Sequence, residues 1–187
     1  MYAYLLSSLP SFTLDDPPPM PVEALLERCR PYLGEEELRV LEDPEGNVDA
    51  PGEPGRVARR WLDGERQLRN AVARKRAATW GVAADPYLRE HDGFRVDVED
   101  GVTRAYEAAH AMERERLLHE LRWHLLDDLA GVVPWGFGAV FAYAQRLRDG
   151  EAWAQRDVDE GRRVLQATLE RLEQRYETDV APEAHDA

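Results

Sequence analysis

Cysteine, lysine and long apolar runs are almost absent from this chain of 187 residues. The one cysteine, Cys29, excludes an internal disulfide and suits a reducing compartment, so a cytoplasmic location is expected. No apolar run approaches the roughly 18–20 residues needed to cross a bilayer, so direct membrane insertion is not expected. The opening stretch MYAYLLSSLP lacks a basic n-region and a small-residue cleavage site, and is not read as a signal peptide. GxSxG, Walker-type and GxGxxG patterns are missing, which removes the commonest signatures of acyl transfer and of nucleotide binding. No cofactor is expected.

Positive charge is also in deficit. The chain carries 24 basic and 37 acidic side chains, a net −13, which disfavours bulk attraction to nucleic acid or to an anionic lipid surface. The deficit is uneven: residues 1–54 are net −9 and residues 80–187 net −10, but residues 55–79 carry eight basic against two acidic side chains. Hydrophobic residues make up 43 %, which fits a folded domain that buries about 70 % of its unfolded surface.

The periodicities point to an all-α antiparallel bundle. Tyr2, Tyr4 and Leu6 alternate, as do Phe94, Val96 and Val98, so a short two-stranded ribbon pairing residues 2–8 with 94–98 is one expectation; a buried helical turn at residues 1–9 is the other. The prolines at 17–19 and 21 impose an extended path. Helices are predicted over 22–32, 35–41, 54–80, 102–111, 113–132 and from 137 to about 176. In the longest early helix Val57, Trp61, Leu68 and Val72 form one stripe, Gly64 interrupts it, and Gly81 ends it. Val140, Ala144, Leu147, Ala154, Val158, Leu165, Leu169, Leu172 and Tyr176 keep a helical period in the last stretch. The expected organisation is one helical domain over 1–177 and an acidic, disordered tail over 178–187.

Several constellations invite a chemical reading. His119-Glu120 followed by His124 resembles a zinc protease motif, but a spacing of five sets the imidazoles about 140° apart on one helix, so they do not share a metal; a surface i,i+4 pair of Glu120 and His124 is expected instead. Cys29 sits on the apolar face of its helix, where a lone cysteine packs as a small hydrophobe. Gly136-Phe137-Gly138 opens a helix without a lysine or threonine to hold an anion, and reads as a flexible turn. The basic stretch Arg56 to Arg76 reads first as a solvated helix face, with nucleic-acid binding and docking to an acidic protein as alternatives. Trp123 lies about 140° from Leu118 on the wheel, among Arg116, Glu120 and Asp127. A tryptophan there either packs beneath another helix of the chain, the commoner outcome, or contributes to a binding surface.

Three segments taken together, YAYLLSSLPSFTLDDPPP at 2–19, LRWHLLDDL at 121–129 and GFGAVFAYAQRLRDGEAW at 136–153, resemble a bacterial family encoded within operons for V-type (A/V-type) rotary ATPases. The chain departs from that family's pattern at 134–138 and at Asp149-Gly150. The family is regarded as a helical counterpart of the C-type subunit (d-type in eukaryotes), the socket between rotor ring and central shaft of these proton- or sodium-translocating machines. The resemblance implies a non-catalytic subunit or an assembly factor, peripheral to the membrane, whose partners are the shaft and rotor ring. It implies contact through aromatic anchors ringed by charge: Trp123, Trp135, Phe137 and Trp153 with Arg122, Asp127, Arg148 and Glu151. A metal-dependent enzyme built on His119, Glu120 and His124 is the remaining alternative.

Overall fold

Apolar spacings of three and four residues recur along most of the chain, and the computed structural model is all-α accordingly. It describes residues 2–131, 134–155, 163 and 166–171. Seven α-helices occur among them: α1 (Tyr2–Ser8), α2 (Val22–Cys29), α3 (Glu35–Glu42), α4 (Gly52–Trp80), α5 (Val96–Glu107), α6 (Ala111–Ala130) and α7 (Phe137–Ala154), with a 3-10 turn at Asp85–Tyr87.

The expected ribbon does not form. Residues 2–8 are helical because Tyr2, Leu5, Leu6 and Leu9 fall at i, i+3, i+4 and i+7 and pack on the core together, a face that the alternation of Tyr2, Tyr4 and Leu6 obscures. Phe94 lies in a turn, and Val98, Val102 and Ala105 give α5 its buried face, so that helix starts six residues earlier than the spacing predicts. No strand occurs among the described residues.

α4 is 29 residues long, which spans roughly 43 Å at 1.5 Å per residue. It stops where expected: Gly81 takes a left-handed conformation (φ 67°), and Val82 N–H reaches back to the Ala77 carbonyl at 3.0 Å, the double closure of a Schellman end. At Gly64 an added Cβ would meet Leu125 of α6 at an ordinary 3.5 Å, so the glycine is not required by the crossing. Gly138 is the opposite case. It is a buried residue of the first turn of α7, and an added Cβ would collide with the Leu129 carbonyl, so Gly136-Phe137-Gly138 is a packed helix start and not a flexible turn.

Residues 1–151 form one compact unit. One core cluster joins α1, α2, α3 and α7 through Leu5, Leu25, Val40, Phe141 and Leu147; a second joins α4, α5 and α6 through Leu68, Val98, Val102 and Leu121. α6 serves both, Leu126 facing the first and Leu125 the second, and Trp61 packs against each. Buried leucines of this kind contribute about 1.5–3 kcal/mol apiece.

Residues 152–187 form a second unit. Within it residues 166–171 are helical and Leu169 is half exposed. Val158, Leu165, Leu172, Tyr176 and the acidic tail at 178–187 lie outside the described residues.

Candidate functional site

The polar side of α6 is where the sequence concentrates its candidates, and the structure turns most of them inward. Trp123 is partly buried rather than presented to solvent. Its indole N–H donates to Asp149 Oδ2 at 2.9 Å, Phe12 meets its ring edge-to-face at 5.4 Å, and the Arg146 guanidinium lies 5.2 Å from the ring centroid. Asp149 also accepts from Nδ1 of the buried His119, at 2.7 Å to Oδ1 and 2.8 Å to Oδ2. Phe12 meets Tyr143 edge-to-face in turn, and the Tyr143 hydroxyl donates to the Pro10 carbonyl at 2.9 Å. The proline-rich connection after α1 is thereby fastened across α6 and α7.

Arg148 and Glu151 cap two other helices. Arg148 is partly buried and donates to the Leu41 carbonyl and, at 3.4 Å, to that of Glu42, the C-terminal end of α3. Burial pulls its guanidinium down from the ordinary arginine range, against the opposing pull of Glu151, Glu23 and Asp43. Glu151 accepts the Val22 N–H at 2.9 Å, where Pro21 offers α2 no side-chain cap. A cation at a helix C-terminus and an anion at a helix N-terminus are the favourable pairings with the two macrodipoles, so α7 pins both short helices by their ends.

The remaining candidates scatter. Phe137 is fully buried (0 % exposed) against Phe141 and touches no outside surface, which removes it from the expected interface. Arg122 donates to the buried Glu65 at 2.8 Å. Asp127 is exposed and paired with Arg146. Trp135 is 51 % exposed in the turn before α7, and Trp153 is partly buried at the start of the second unit. His119 and His124 diverge as the wheel predicts, the first buried and the second exposed. Glu120 pairs with Arg116 at 2.8 Å, one turn back, instead of with His124, which is exposed and nearest to Asp127. Among the described residues no three metal-ligating side chains converge.

Exposed aromatics lie elsewhere, on both sides of α4. Toward its C-terminal end a groove of about 460 Å³ is lined by Val72, Ala73, Leu118, Trp80 and Tyr87, with Trp80 74 % exposed. Toward its N-terminal half a second groove, about 590 Å³, lies between α4, the 92–95 turn and the end of α6. Trp61, Leu125 and Leu129 are among its lining, Phe94 stands on its wall 69 % exposed, and Arg56, Arg59, Arg60 and Arg95 face it along with Asp63 and Asp92.

The turn carrying Phe94 is held by two buried amides that sequence reasoning missed. Gln67 donates to the Arg95 carbonyl at 2.8 Å and accepts the Arg95 N–H at 2.9 Å. Asn70 repeats the pattern on Arg89, at 2.7 and 2.9 Å. A carboxamide offers one acceptor and a donor pair, so each side chain stands in for a strand neighbour to a stretch of backbone that has none. The available signal was two amides flanking Leu68 and Ala71 on the inward part of α4, where an unpaired polar group would be costly.

Compared with known protein families, curated proteins and solved structures, the chain matches none.

Proposed function

We propose that this chain is a non-catalytic accessory or central-stalk component of a V-type rotary ATPase, linking shaft and rotor ring by protein–protein contact. The observation that carries the reading is a convergence. The three segments that bear the family resemblance, far apart in sequence, meet at Trp123: Phe12 from the first, Trp123 itself from the second, Arg146 and Asp149 from the third. The resemblance thus follows one packed unit rather than three unconnected motifs.

Torque transmission asks for stiff helices with pinned ends. Arg148 on α3 and Glu151 on α2 provide that pinning, and the exposed aromatics around α4 offer anchoring surface. No described helix is long and apolar enough to cross a membrane, so membrane association would be peripheral, through the complex. Affinity capture of the tagged chain from native membranes tests the proposal: co-recovery of ATPase shaft and rotor-ring subunits supports it, and their absence overturns it. A fixed stoichiometry in the finished complex marks a permanent subunit; recovery only with incomplete complexes marks an assembly factor.

A further inference from the structure

The basic groove on the N-terminal half of α4 has a composition that neither a solvated helix face nor general charge balance requires. Arg59 is paired with Asp49 at 2.8 Å, and Arg95 with Asp97 and Asp128 at 2.6 and 2.5 Å. Arg56 and Arg60 are exposed and have no ion-pair partner among the described residues, in a chain with thirteen more acids than bases. Beside these two cations are apolar side chains, Trp61, Leu125 and Leu129, in a groove large enough for a side chain of a second molecule. Phe94 projects from its wall on a turn that Gln67 grips through both the N–H and the C=O of Arg95. The exposed Phe94 ring is thus carried on a fixed turn rather than on a loose loop.

We infer that this groove docks an acidic segment of a protein partner, an apolar side chain of which enters between Phe94 and Trp61 while flanking carboxylates meet Arg56 and Arg60. Charge complementarity selects the occupant: two guanidiniums without an ion-pair partner attract the carboxylates of an acidic segment, whose few charges meet far less of the chain's net repulsion than a second copy carrying all of its −13 would. Asp63 and Asp92 on the same rim disfavour a nucleic-acid backbone, which would bring a phosphate past them at each step. This inference rests on the reading that the chain works by protein contact, and names the chemistry of one contact.

Fluorescence anisotropy with the full chain tests it. The probe is a short fluorescein-labelled glutamate-rich peptide with one central phenylalanine, set beside the same peptide with alanine at the centre and beside oligothymidylate of equal charge. The phenylalanine peptide should bind most tightly and weaken as salt rises. Combined Arg56→Ala and Arg60→Ala should lower its affinity about tenfold, and Phe94→Ala about fivefold, with the melting temperature unchanged in each. Arg30→Ala, outside the groove's lining, should leave it unaltered. Equal or tighter binding of oligothymidylate, self-association abolished by the same substitutions, or a peptide affinity indifferent to them would each overturn the inference. Membrane capture separates this from the broader proposal. If wild-type chain recovers no ATPase subunits the broader proposal fails; if the arginine variant recovers them as well as wild type, the groove assignment fails alone.

Discussion

Replacing Gln67 by methionine isolates what the clamped turn contributes. Gln67 is 2 % exposed, and its amide makes two hydrogen bonds with the Arg95 backbone and a third, at 3.2 Å, to Glu99. Methionine keeps nearly the same length and volume, so the core around α4 stays filled and only the polar pairing is lost. At about 1 kcal/mol for each backbone bond, with the Arg95 groups left beside apolar atoms, the expected loss is about 2–3 kcal/mol. For a chain of this size that corresponds to a fall of roughly 4–12 °C in melting temperature. Urea titration followed by tryptophan fluorescence measures the free energy, and hydrogen exchange at the Arg95 amide measures the local opening. Gln67→Glu keeps the acceptor but sets a carboxylate against the Arg95 carbonyl and Glu99. It should destabilise at least as much at pH 7, yet leave the Arg95 amide better protected than methionine does. If Gln67→Met falls within about 0.5 kcal/mol of wild type and Arg95 exchange is unchanged, the clamp is not what holds the turn, and Phe94 is not fixed for contact.

Asp149→Ala withdraws the shared acceptor of His119 and the Trp123 indole, and should cost about 2–4 kcal/mol by thermal or chemical denaturation, with a change in tryptophan emission. Gly64→Ala should act in the other direction, stabilising α4 by about 0.5–1 kcal/mol in urea titration, because the added methyl meets Leu125 at van der Waals distance and the unfolded chain loses freedom. Burial pushes the Cys29 thiol up from an ordinary value near 9 to about 11. The folded state therefore favours the neutral thiol, and its contribution is fully present below pH 9 and lost as pH rises through about 11. Stability measured across that window should fall with a slope that Cys29→Ala reduces, and native Cys29 should resist thiol reagents at pH 8 until the chain unfolds.

Long periodic segments were legible and short or long-range ones were not. α4 could be read because its stripe runs through Val57, Trp61, Leu68 and Val72 to a glycine whose left-handed geometry ends it. α1 has only seven residues, too few for a period of 3.6 to stand out against alternation. The turn at 88–95 carries no local periodicity because its partners are Gln67, 28 residues from Arg95, and Asn70, 19 residues from Arg89. The helical wheel sets Trp123 on the polar side of α6, but nothing local shows that Phe12 covers that side or that Asp149 supplies its acceptor. Charge on α7 looked like the rim of an interface for the same reason: that Arg148 and Glu151 face the open ends of α3 and α2 is a property of the assembled bundle. Phe94, Trp80 and Tyr87 were visible as aromatics, but exposure is decided by what other elements leave uncovered.

The proposal that this chain is a mechanical fitting of a V-type ATPase is tested most directly from the other side of the contact. The ATPase, purified from native membranes through a tag on its central shaft and analysed by quantitative mass spectrometry, should contain this chain in a fixed ratio to the shaft. Working ATPase with the chain wholly absent, and absent as well from the partly assembled complexes of cells that express it, would contradict the account.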